Sequence, residues 1–120
     1  IAAQPPHMNR LAASVQAWAD PKIVVILSSK DFRPPPRVTS AVIALDLNEK
    51  IPASDRKRYY AAVRILFQQP RKTLLNNLAD ALPAGRETIA VELKKNNLDP
   101  KSRPHDCGVD EIKKIARLFF

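Results

Sequence analysis

The sequence predicts an α+β chain: a helix and an antiparallel strand pair, then a small all-helical half. Two observations place the strands. Residues 23–27 and 41–45 are wholly apolar runs, rich in β-branched side chains and too short for buried helices. A third observation places the helices. From Ser54 onward the apolar residues recur at helical spacing, in blocks broken by proline or glycine. Residues 48–53 between the halves are polar and contain Pro52, so residues 1–49 and 50–120 are expected as two units.

Residues 8–20 read as the first helix. Leu11, Val15 and Trp18 form its apolar stripe, Asn9 is the expected N-cap, and Asp20-Pro21 is expected to stop it, because a residue before proline avoids the helical region. Residues 23–27 then form a strand buried on both faces. A proline-rich loop over 28–37 leads to a second strand over 38–47, and so short a connection most simply gives an antiparallel pair. Strands apolar on both faces need layers above and below. The rest of the chain offers no further strand, so the pair is expected as the edge of a larger sheet.

The second half starts with a helix capped by Ser54 and running to about residue 69, with Tyr59, Val63, Leu66 and Phe67 on one face. Pro70 breaks it. Residues 71–82 carry the stripe Leu74, Leu75, Leu78 and Leu82, and Pro83-Ala84-Gly85 is a turn. Residues 86–97 form a helix with Ile89 and Leu93 inward, and residues 98–107 form a connector. The last helix covers 109–120, with Ile112, Ile115, Ala116 and Phe119 inward. Short helices with short connectors pack as a bundle.

Composition narrows the function. Of 120 residues, 20 are Lys or Arg and 12 are Asp or Glu, a net charge of +8 with an isoelectric point near 10.0. Such a surface suits a polyanion, most simply nucleic acid, and no basic helix shows the broad apolar face of a membrane binder. Cys107 is the one cysteine, and His7 and His105 lie far apart, so neither a disulfide nor a zinc-type spacing is present and no metal is expected. No apolar run could span a bilayer and the N-terminus has no signal-peptide order, so a cytoplasmic location is expected. The only glycines, Gly85 and Gly108, are not in a glycine-rich turn after a strand, so the usual nucleotide or S-adenosylmethionine loop cannot be built. No nucleophile, base or carboxylate pair forms a catalytic constellation. Glu87 and Glu92 read as helix-surface residues, and His105-Asp106 as part of a connector.

Two segments carry candidate chemistry. The first is Phe32-Arg33-Pro34-Pro35-Pro36-Arg37, directly before the second strand. Its prolines hold Phe32 on a stiff arm between Arg33 and Arg37, which suits stacking on a base; a plain proline-rich edge loop fits as well. A free proline-rich ligand for another protein fits less well this close to a strand. The second is the basic run from Lys50 to Lys72: Lys50, Arg56, Lys57, Arg58, Arg64, Arg71 and Lys72. Arg71 and Lys72 are expected at a helix start, where free N–H groups and the macrodipole draw phosphate. Asn76 and Asn77, one turn on, are candidates for sugar or base contacts. A solvated polar helix face is the alternative.

These residues resemble a known family. Phe32-x-Pro34-Pro35-Pro36-Arg37-Val38-x-Ser40-Ala41-Val42 resembles the late active-site motif of ribosomal RNA adenine N6-dimethyltransferases. Phe67-x-Gln69-x-Arg71-Lys72-Thr73-Leu74-x-Asn76-Asn77-Leu78 resembles the opening of their C-terminal helical domain, most of all in the bacterial KsgA (RsmA) type. Residues 98–103, with Val109-Asp110-Glu111, resemble its last connector and helix. The resemblance implies that the strand pair and its preceding helix close a Rossmann-like methyltransferase domain and that residues 50–120 bind ribosomal RNA. It implies that Phe32 packs by the target adenine and that Arg71 and Lys72 grip small-subunit ribosomal RNA in the 30S particle; Arg37, beside Phe32, and Asn76 are expected to complete the RNA contacts. The family methylates with S-adenosylmethionine, but its cofactor loop has no counterpart here. The chain therefore reads as a C-terminal fragment not expected to bind that cofactor alone, with a free-standing ribosome-assembly module as the other reading. Pro70 and Leu75 stand where the family usually has arginine.

Overall fold

The computed structural model describes residues 2–27 and 40–120. Among the described residues five α-helices and two strands follow one another: α1 (Arg10–Gln16), β1 (Ala19–Leu27), β2 (Ser40–Leu47), α2 (Arg56–Gln68), α3 (Leu74–Ala81), α4 (Arg86–Lys95) and α5 (Val109–Phe119). Phe32, Arg33, the proline run and Arg37 lie outside the described residues.

The α1 helix begins as expected, with the Asn9 side chain accepting the Ala12 N–H at 2.8 Å. Its buried face is not the expected one. Leu11 is 61% exposed, while Ala12, Ala13 and Ala17 are fully buried. Small side chains let α2 approach until the Tyr59 hydroxyl donates to the Ala13 carbonyl at 2.7 Å. The helix also ends early, at Gln16, and Asp20-Pro21 lies within β1. Proline is tolerated there because both strands of a two-stranded ribbon are edges.

The strands pair antiparallel, Ala19 with Leu47, Pro21 with Leu45 and Ile23 with Ile43, and a bulge at Val24 shifts the register. Asp20, held by Asn48 at 3.1 Å and Lys50 at 3.1 Å, pins the base of the ribbon. Beyond it, Ile23, Val24, Val42, Ile43 and Leu45 are exposed. Successive residues point to opposite faces, so among the described residues neither face of this apolar ribbon is covered, contrary to the expected burial on both faces.

The four later helices form the bundle, and α1 joins their core. Tyr59, Ala62, Val63 and Leu66 of α2 are buried with Leu74 and Leu78 of α3, Ile89 and Leu93 of α4, and Ile112, Ile115 and Ala116 of α5. Ser54 is not a cap; it lies in a 3-10 turn, Ala53–Asp55, ahead of α2. Arg117 at the end of α5 donates to Asp55 at 2.8 Å and holds its carboxyl below the usual carboxylate range. The α4 helix closes with Asn97 in the left-handed region (φ 61°) and the Leu98 N–H bonded to the Leu93 carbonyl at 2.9 Å, a C-terminal wrap that buries Leu98.

Cys107 is buried, and burial pushes its thiol up to about 12. Ellman's reagent at pH 8 should therefore react with it more than about tenfold slower in the native protein than in urea, since the thiolate is the nucleophile.

Candidate nucleic-acid interface

The α2 helix stops at Gln68 because Gln69 precedes Pro70 and leaves the helical region (φ −131°, ψ 76°). The chain turns through Pro70, Arg71 and Lys72, and the Lys72 N–H closes on the Gln69 carbonyl at 3.1 Å. Asn77 holds this turn from below. Its side-chain nitrogen lies 3.2 Å from the carbonyls of Gln69, Lys72 and Thr73, and the residue is 5% exposed. Asn77 is thus an internal clasp and not the expected sugar or base contact.

The α3 helix starts at Leu74, so Arg71 and Lys72 precede it instead of forming its first turn. Thr73 is the N-cap, its hydroxyl oxygen accepting the Asn76 N–H at 3.2 Å. The two remaining free amides of that turn are also taken. The Leu74 N–H donates to the Ser102 carbonyl at 2.7 Å, and the Leu75 N–H to the Pro100 carbonyl at 3.2 Å. The connector after α4 therefore occupies the place where an anion was expected. Any attraction for phosphate here comes from side chains, not from helix amides.

Those side chains are unequal. Lys72 Nζ lies 2.7 Å from Asp80, a bond that holds the Asp80 carboxyl below its usual range. Asn76 Oδ1 accepts from the Arg86 guanidinium. Arg71 is exposed, and among the described residues no ion pair engages it. Arg56, Lys57, Arg58 and Arg64 of α2 are likewise exposed and in no ion pair among the described residues, although the charge of Arg58 helps to lower the Asp55 pKa. Leu75 packs against the core, so an apolar residue there serves α3. Arg86 was invisible to a search for linear charge density, because it reaches Asn76 only across the turn between α3 and α4.

A family model described as Ribosomal RNA adenine dimethylase matches residues 2–119. The chain belongs to that family. Ribosomal RNA small subunit methyltransferase A of Lactobacillus acidophilus is 38% identical over 108 residues, covering 89% of this chain and 36% of that protein. Its namesake in Mycoplasma mycoides subsp. mycoides is 32% identical over 116 residues, covering 95% of this chain and 43% of that protein. The dimethylase-family chain thus spans well under half the length of these relatives. In fold it is similar to the crystal structures of the 23S rRNA methyltransferase ErmE (TM-score 0.67, 15% identity, 96% of this chain and 47% of that one) and of a dimethyladenosine transferase from Plasmodium falciparum (TM-score 0.67, 19% identity, 89% and 46%).

S-adenosylmethionine is the family's methyl donor. Gly85 and Gly108 begin α4 and α5 in the bundle, and neither follows a strand, so neither forms a glycine-rich cofactor turn. Among the described residues no group of His, Cys, Asp and Glu gathers as metal ligands would, and no helix is long and apolar enough to cross a membrane.

Proposed function

We propose that this chain supplies the RNA grip of an S-adenosylmethionine-dependent ribosomal RNA adenine N6-dimethyltransferase that acts on small-subunit ribosomal RNA during ribosome biogenesis. Residues 1–49 close its methyltransferase domain, and residues 50–120 bind RNA. The observation that carries this reading is the clasped turn at residues 70–72, which holds Arg71 out to solvent with no counter-ion among the described residues. Arg71 does most of the gripping, because Asp80 already offsets the charge of Lys72. An exposed pair is weak enough for a phosphate to displace, so Lys72 contributes less rather than nothing. Asn76 and Arg37 complete the RNA contacts, and Phe32 forms one wall of the adenine pocket. The glycine placement supports a second reading, a module that binds RNA during ribosome assembly without catalysis.

Filter binding to purified small ribosomal subunits tests the grip. Arg71→Gln should weaken binding about tenfold and lower the salt slope by about one, as for one lost phosphate contact. Lys72→Gln should cost less, and the double variant the most. Binding unchanged in the double variant would remove this turn from the RNA interface.

A further inference from the structure

A second basic feature lies outside the motif. Arg10, at the start of α1, meets Lys57, Tyr60, Ala61 and Arg64 of α2 around an open groove of about 380 Å³. On α2 these residues are three or four apart and share one helix face. Among the described residues no carboxylate lines the groove and none of its three cations is in an ion pair. From Lys57 to Arg64 the face runs roughly 10 Å, the length of a short backbone stretch rather than of one phosphate.

Tyr60 stands amid these charges, 37% exposed. Its ring meets Tyr59 edge-on, with centroids 5.7 Å apart at 79°, and its hydroxyl donates to the Ser14 carbonyl at 3.4 Å. A ring held at both ends loses little freedom when a ligand arrives. Unpaired cations around a fixed aromatic are what a sequence-tolerant single-stranded site needs: charge for the phosphates and a flat face for a base.

We propose that the α1–α2 groove is a second RNA-binding site, in which Arg10, Lys57 and Arg64 hold phosphates and Tyr60 stacks on a base. It rests on the RNA-grip reading above but uses none of the same side chains. The groove runs along the first part of α2, and the Arg71 turn lies past its end.

Fluorescence anisotropy of the full chain with a labelled 12-nucleotide single-stranded RNA, over a salt series, tests the site. The triple variant Arg10→Gln/Lys57→Gln/Arg64→Gln should bind at least tenfold more weakly, with the salt slope reduced by about two, since each single-strand phosphate contributes about 0.7. Tyr60→Leu should weaken binding about tenfold at unchanged slope, whereas Tyr60→Phe, which keeps the ring, should stay within about twofold. Melting curves check that every variant is folded. No binding by the unaltered chain, or wild-type affinity and slope in the triple variant, overturns the site. Wild-type affinity in Tyr60→Leu overturns the stacking. Equal loss of binding to phosphatidylglycerol vesicles in the triple variant would make the groove a general anion surface and overturn the RNA assignment. Arg71→Gln on the same probe separates the two readings. If it alone weakens binding, the groove fails and the turn stands; if only the triple variant does, the reverse holds.

Discussion

Tyr59→Ala should remove about 3–5 kcal/mol of stability, the range for truncating a buried aromatic, out of the roughly 5–15 kcal/mol that holds a domain of this kind folded. Tyr59 is fully buried and sits where α2 meets α1. Losing the ring opens a cavity in that contact, and losing the hydroxyl strips the Ala13 carbonyl of its donor. Burial also raises the phenol pKa, so the hydroxyl stays a donor through the physiological range. Tyr59→Phe separates the two effects: it keeps the ring and should cost about 1–2 kcal/mol. Urea unfolding followed by circular dichroism measures both. A loss under about 1 kcal/mol in Tyr59→Ala would mean that α1 is not anchored through this residue.

Asn77→Leu should lower stability by about 1–3 kcal/mol and weaken RNA binding without changing any charge. The side chains are similar in size, but leucine has no donor for the carbonyls of Gln69, Lys72 and Thr73. For a chain of this length that is roughly 4–12 °C in melting temperature. The turn it clasps carries Arg71, so affinity for small ribosomal subunits should fall several-fold at temperatures where the variant is still folded. The salt slope should fall less than in Arg71→Gln, because the charge remains and only its placement is loosened. A destabilised variant with native RNA affinity would show that Arg71 does not depend on the clasp.

The helices of the bundle were legible because large apolar residues mark their inner faces: Tyr59, Val63 and Leu66 on α2, Leu74 and Leu78 on α3, Ile89 and Leu93 on α4, and Ile112 and Ile115 on α5. The α1 face was not, because its buried residues are mostly alanines and Leu11, the largest residue of the expected stripe, points outward. Pro21 read as a helix stop because nothing local shows that a proline can sit in an edge strand. Thr73 three residues before Asn76 was a usable sign of the true α3 start. The filling of that start by Pro100 and Ser102 was not legible, since it depends on how α4 returns the chain. The apolar character of both strand faces was legible; the expected burial on both faces was not met, since Ile23, Val24, Val42, Ile43 and Leu45 are exposed among the described residues. The candidate site was readable as charge but not as geometry. Sequence shows that Arg71 and Lys72 are basic; only the fold shows that Asp80 engages one of them and not the other.

The carbonyls of Pro100 and Ser102 at the head of α3 also bear on the order in which the chain becomes fixed. An eight-residue helix is well below the length at which helices hold themselves in water. Its first turn takes two of its acceptors from a segment beyond α4. As the protein emerges from the ribosome, α3 can form loosely but cannot lock until that later segment has been synthesised and folded back. The segment that presents Arg71 lies between the first two helices of the bundle in sequence yet is among the last to settle, and its shape reports that the C-terminal part has been made.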